Sequence, residues 1–277
     1  MIQNSRATIW EKELTLAMKA QAPYKAHSTA MLNAKEKFRV YPGIVEVPGG
    51  YPAQFKYFAI GVGGEELLTD NSGYSYNIHK PIDAALFEHV PFVMRTVDND
   101  IPDNEKVNYR FRIKEVYNGV EYICYYLKVI PYVNIPSNIF KITTSQIDNM
   151  GTGELSYFDV NVDTFLNPIP TKRTLDPLDN TNATYVCKVA KISLDFSAQE
   201  LIELKNVLST IYPNTNKHIT ELAVCSGHDI VEDGKYEASV VQIMHHITIE
   251  PEVAMSLNTD VEFSRTFEIG GIEPLLI

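Results

Sequence analysis

Cys225, His228 and Asp229 place a thiol, an imidazole and a carboxylate within five residues. Those are the groups of a cysteine hydrolase. Such an enzyme brings its base to the thiol from a distant segment, because the fold must aim one at the other. Here the glycine of Cys225–Ser226–Gly227–His228–Asp229 reads as a turn after a strand end. Gly61–Val62–Gly63–Gly64 has the small residues of a phosphate loop but lacks the Gly-Lys-Ser/Thr ending. Glu65 and Glu66 follow where an anion needs positive charge, so a turn is the better reading. His245 and His246 are adjacent. On a strand they face opposite ways, and on a helix they diverge by about 100°. Neither arrangement suits one metal ion. His79 and His89 have no carboxylate pattern around them. Asp98, Asp100 and Asp103 lack the glycine and glutamate of a calcium loop, and Asn99–Asp100–Ile101–Pro102 fits a turn. No catalytic, cofactor-binding or metal-ligating set is assigned, and no cofactor is expected.

Bulk composition narrows the partners. The chain has 277 residues, 45% hydrophobic and 21% charged, which suits a folded core. Its net charge of −11 lacks the basic footprint of a nucleic-acid binder and disfavours anionic membrane surfaces. The three cysteines, Cys124, Cys187 and Cys225, are widely spaced with no CxxC pair. That usage signals neither zinc nor a redox couple and fits a reducing cytosol. Residues 1–20 carry Glu11, Lys12, Glu13 and Lys19, unlike a signal peptide, and no apolar run approaches membrane-helix length.

The elements that must position these residues are mostly strands. A helix is expected over 6–20, with Ser5 as its N-cap and Pro23 as its stop. It is marginal alone and expected to dock on another element or chain. Residues 41–53 and 65–80 read as loop, Phe55–Ile60 and Val90–Val97 as strands, and Pro81–Glu88 as one or two helical turns. Tyr109–Tyr117 and Val120–Ile130 flank Asn118–Gly119, a type I′ hairpin signal. Alternation puts Arg110, Arg112, Lys114 and Val116 on the wet face; Tyr109, Phe111, Ile113 and Glu115 fall on the dry one. The second hairpin strand is apolar on both faces and reads as central. Ile139–Thr144 and Tyr157–Val162 hold some strand. Tyr185–Phe196 reads as a strand leading to the capping box Ser197–Glu200 and a helix to about Ile211. Ile219–Cys225 reads as a buried strand, residues 237–249 fit helix or strand, and 261–269 is a last strand in which Arg265 guards an edge.

The fold class expected is α+β and β-rich, with antiparallel sheets or a sandwich and a few short helices. Four stretches are expected: an N-terminal helical arm (1–40), a β-rich domain (41–135), an irregular, partner-ordered segment (136–183) and an α+β C-terminal region (184–277). Candidate interaction residues follow. Tyrosine is abundant at 16 residues, and its flat ring with a polar tip suits interfaces as well as strands. Tyr74, Tyr76, Tyr132 and Tyr157 fall in loop-like stretches, where the interface reading is favoured. Trp10 on the terminal helix and the apolar Leu275 and Leu276 complete the set.

Three blocks resemble baseplate wedge-type structural proteins of contractile-tailed bacteriophages. The first runs from Asp83–Ala84–Ala85–Leu86–Phe87–Glu88–His89–Val90–Pro91–Phe92–Val93–Met94–Arg95 through Tyr109–Arg112 to Tyr125–Leu127. The second is Ile219–Asp229 and the third is Phe267–Leu276. Together they cover about a third of the chain; 131–183 lies outside them. The resemblance implies a non-enzymatic virion part with a two-part, β-rich fold. It also implies a homodimer or hetero-oligomeric wedge that bridges other tail proteins, present in host cytoplasm before assembly, with no nucleic acid or membrane partner. Fibre-attachment, collar and head-to-tail connector roles are the neighbouring readings. A cysteine hydrolase or a glycan-binding module built on loop tyrosines belongs to other classes.

Overall fold

The structure, a computed structural model, describes residues 4–27, 30–32, 44–46, 53–67, 74–131, 133–134, 139–144, 154–158, 183–215, 217–232, 235–249 and 263–274. The chain is a β-rich α+β fold with antiparallel sheet and few short helices. In order along the chain come β1 (Asn4–Ala7), α1 (Ile9–Ala20), β2 (Lys25–His27), β3 (Met31–Leu32), β4 (Ile44–Glu46), β5 (Gln54–Gly61), β6 (Glu65–Leu67), β7 (Tyr74–Tyr76), β8 (His89–Val90) and β9 (Val93–Thr96). They are followed by α2 (Asp103–Lys106), β10 (Tyr109–Tyr117), β11 (Val120–Val129), β12 (Val133–Asn134), β13 (Ile139–Thr144), β14 (Glu154–Phe158) and β15 (Ala183–Phe196). The last are α3 (Ala198–Ile211), β16 (Glu221–Glu232), β17 (Lys235–Thr248) and β18 (Phe263–Pro274).

Chain contacts divide into two units, both discontinuous in sequence. One is essentially 3–131 with 195–264, and the other 132–194 with 265–277. The first holds a nine-stranded antiparallel sheet in the order β1-β17-β16-β5-β11-β10, with β3 on β17, β8 on β5 and β9 on β11. The second holds β12-β15-β13-β14, with β18 on β15.

In the first unit the core lies on β5, β11, β16 and β17. Tyr57, Ala59, Cys124, Leu127, Ala223, Cys225, Val241 and Ile243 are buried there together, with Val207 of α3 against them. The hairpin forms as its Asn-Gly predicts, with Asn118 at φ 51° and Gly119 at φ 80°. β11 is central, paired to β10, β9 and β5. The capping box also forms: Glu200 N–H donates to Ser197 Oγ (3.3 Å) and Ser197 N–H to Glu200 Oε2 (2.9 Å).

Several expectations are corrected. Ser5 lies in β1, and the cap of α1 is Thr8, whose Oγ1 accepts from Glu11 N–H at 3.2 Å. The stretches 41–53 and 65–80 contain β4, β6 and β7, so Tyr74 and Tyr76 are strand residues. No helix forms over Pro81–Glu88, because the Phe87 and Glu88 N–H groups are taken by a side chain described below. Pro91 divides the expected strand into β8 and β9. Residues 237–249 are strand, and β16 runs straight through Gly227 instead of turning there.

The face assignment on β10 fails at Arg110, which is buried beside buried Tyr109 and Phe111. Phe111 sits at φ 55°, and the register passes from Arg110↔Leu127 to Arg112↔Tyr125 without it. The register is the same on both sides of it, so no residue is inserted; the positive φ alone interrupts the alternation and leaves Tyr109, Arg110 and Phe111 all buried. Val240 on β17 also has a positive φ, 54°, a strained conformation for a β-branched residue, and there the register against β16 does shift, between Ser226 and His228. Glu237 of β17 accepts the Phe111 N–H at 2.9 Å, so an amide freed from the ladder is still satisfied.

Candidate functional site

The largest concentration of buried chemistry-bearing groups surrounds Glu221, at the start of β16. Both its neighbours in the sheet, β5 and β17, are long, so the strand start is covered and Glu221 is 0% exposed. A carboxylate in that position must find donors or lose its charge. It finds four. His79 Nε2 (2.7 Å) and Phe87 N–H (2.9 Å) donate to Oε1; Gly63 N–H (2.8 Å) and Glu88 N–H (3.2 Å) donate to Oε2. Each oxygen takes two, which fills its lone-pair capacity.

The glycine-rich turn exists for this contact. A Cβ on Gly61 would stand 2.6 Å from Glu221 Oε2, and one on Gly63 would stand 2.7 Å from Phe87 Cβ. The expected turn does form at 62–64, and its Gly63 amide binds an anion, namely the chain's own Glu221.

Histidines line the other side. The His79 ring is sandwiched between Phe87 (centroids 4.0 Å apart) and His246 (3.9 Å), nearly parallel to both. Its Nδ1 is 3.5 Å from Asp83 Oδ2. His246 Nε2 donates to the Asp83 carbonyl at 3.0 Å. His89 Nε2 accepts the Leu86 N–H at 3.1 Å. Because β17 is a strand, His245 points the opposite way and meets Glu11 of α1 at 3.1 Å. Burial, then the nearby rings of His246 and His79, push His89 down to about 3. Burial, then His79, push His246 down to about 4, against smaller opposing effects from Asp83.

A second cluster gathers on the far end of β16. Asp229 accepts from Tyr57 OH (2.8 Å), Arg110 Nε (2.9 Å) and Lys56 Nζ (2.9 Å). Burial alone would raise this carboxyl; the bonds from Lys56, Arg110 and Tyr57 outweigh it and hold the group below its usual range. Cys225, two strand positions before Gly227, is fully buried, and burial pushes its thiol up. A nucleophilic cysteine needs the reverse shift and some access. The Cys225–His228–Asp229 grouping is thus divided between core and rim. Asp100, in the rejected calcium grouping, is held by Tyr125 OH (2.8 Å) and Arg112 (3.0 Å). Among the described residues no group of three or more His, Cys, Asp or Glu side chains is placed to hold a metal ion.

The interaction candidates do not converge on this cluster. Trp10 packs on the sheet side of α1 against Leu14, Tyr24, Ala26 and Met244. Tyr76 is 43% exposed on β7. The backbone of Tyr74 lies in β7 and that of Tyr157 in β14, with their side chains outside the described set. Tyr132, Leu275, Leu276 and most of 136–183 lie outside the described residues, as does the side chain of Arg265. Glu221 and His79 were missed by pattern. The available signal was one carboxylate inside the otherwise apolar run Ile219–Cys225, since a charge in a buried strand demands partners from elsewhere.

Among helices of the described residues, none is long and apolar enough to cross a membrane. No curated protein and no solved structure matches the chain. A family model does match, over residues 1–277: the chain belongs to DUF7208, a family of unknown function.

Proposed function

We propose that this chain is a structural subunit of a contractile phage tail baseplate, a wedge-type part that bridges neighbouring tail proteins without catalysis. The reading rests on the resemblance of the three blocks. One structural observation supports it best. The first two blocks are tied to each other by Glu221, which receives the amides of Phe87 and Glu88, 134 and 133 residues before it. What resembles a wedge protein is thus framework, held by a carboxylate whose acceptor capacity is used up. Such a carboxylate has no lone pair left for acid–base work. The inert, buried Cys225 argues against the cysteine hydrolase.

Partners in this proposal are other tail and baseplate proteins. Subunit bridging of this kind commonly buries upwards of about 2,000 Å². Exposed Ile9, Ile78, Ile82 and Phe87 offer apolar area in the first unit. Immunogold electron microscopy of phage particles encoding this chain tests the proposal. Gold at the distal end of the tail is expected. Gold at the neck assigns a connector or collar role, and no label on intact or disrupted particles removes the virion reading.

A further inference from the structure

Residues 77–90 cross the unit without regular structure until the two residues of β8. Their attachment is unusual. Apart from the β8 pairing, they hang on the Glu221 carboxylate, on His246, on bonds of Asn77 and Glu88 with the 62–64 turn and Tyr212, and on Leu86 in the core. Helix α1 joins them, since Ile9 N–H donates to the Pro81 carbonyl at 2.8 Å.

The hydrogen bonds define which ring nitrogens carry protons. His89 Nε2 accepts an amide N–H, so it must hold a lone pair. His246 Nε2 donates to a carbonyl, so its lone pair is on Nδ1, which is buried and reached by no hydrogen bond among the described residues. Both rings are therefore built to be neutral. A proton on His89 Nε2 sets N–H against N–H. A proton on His246 Nδ1 buries an unsatisfied donor and a charge 3.9 Å from the His79 ring.

Every charged group around the stack has a definite position. Glu221 on β16 and Asp83 on the segment both contact His79, and Asp83 also attracts His246 more weakly. On β17, His245 turns to Glu11 of α1. Glu88 is engaged by Tyr212 OH at 2.7 Å and faces Lys217 at 3.6 Å. His89 is thus repelled by His246 and His79, and His246 by His79 and His245, which with burial outweighs the attraction of Asp83.

We propose that His79, His89 and His246 form a proton-operated latch. Neutral rings hold segment 77–90 on the sheet, and protonation of His89 and His246 releases it. The sign follows from linkage. An unfolded histidine titrates near 6.5, and both folded rings lie well below it. The hold is complete above about pH 7.5 and weakens as pH falls through about 6.5 toward 4. Opening is local because the segment has so few ladder bonds, whereas β16, β5 and β11 are paired on both sides. The inference does not depend on the assembly role.

Hydrogen exchange of the full chain at pH steps from 7.5 to 4.5, corrected for intrinsic rates, tests the latch. Fluorescence of the single tryptophan, Trp10 on α1, is followed in parallel. Protection of 77–90 is expected to fall at least tenfold and reversibly while β11 and β16 stay protected. His246→Phe keeps a flat ring over His79 without a proton and is expected to move the midpoint down by half a pH unit or more. Protection that persists until the whole unit unfolds overturns the latch. So does an unchanged midpoint in His246→Phe. Should that variant not fold, imidazole nitrogen NMR of the wild type decides. Titration of His89 and His246 coincident with amide release supports the latch, and a separation of more than one pH unit overturns it.

Discussion

At the scale of the residue, Glu221 is the clearest case of chemistry spent on architecture. Its two oxygens take four donors from three stretches of chain. Glu221→Gln preserves size and leaves one carbonyl oxygen for four donors, with an amide N–H turned against backbone N–H. Breaking a buried charge network from one side costs about 3–5 kcal/mol. Urea denaturation should show an unchanged slope and a midpoint lowered by that free energy divided by the slope. His79→Ala removes one donor of the four and leaves a ring-sized gap between Phe87 and His246, so it should cost less charge compensation but more packing. Asp229 has neither problem, because Lys56 and Arg110 meet it at a partly wet rim.

At the scale of the element, α1 shows how a marginal helix becomes a fixture. The Thr8 hydroxyl accepts from Glu11 N–H and itself donates to the Ile243 carbonyl at 2.9 Å, so one group both caps the helix and ties it to β17. Thr8→Val keeps the shape and orphans both partners. A loss of about 2 kcal/mol is expected, visible as faster amide exchange across 9–20. Elements with local signals were legible from sequence: the Asn-Gly hairpin, the Ser197–Glu200 capping box, the apolar central strand β11. Those set by distant partners were not. Pro81–Glu88 reads as helical turns until Glu221, far along the chain, claims its amides. Arg110 reads as wet until Asp229, far along the chain, takes its guanidinium beside a positive-φ Phe111. The candidate site was illegible for the same reason, since its residues come from 63, 79–89, 221 and 246. Only the opposed directions of His245 and His246 followed from the pattern, given a strand.

At the scale of the whole molecule, the groups that titrate on the acid side act in one direction. His89 and His246 lie below their ordinary value in the folded chain, so the unfolded chain binds more protons between about pH 6.5 and 4. Asp100, Glu200 and Asp229 also lie low, against the effect of burial, and lose their contribution at still lower pH. Stability should be flat between about pH 7.5 and 8, and fall by on the order of 2 kcal/mol per pH unit below about 6.5. Urea midpoints at pH 5, 6, 7 and 8 read that slope directly.

The sheet order also sets a timetable for synthesis. β5 lies between β11 and β16, and β16 begins at Glu221, about 160 residues after β5 ends at Gly61. Ribosomes add about 5–20 residues per second. For about 10–30 s the nascent chain therefore carries Tyr57, Phe58, Ala59 and Ile60 on a strand with one bare edge. The segment that Glu221 will anchor waits just as long for its carboxylate. Any chaperone that attends this chain has its work defined by that interval, and it ends when the residues around 221–248 emerge.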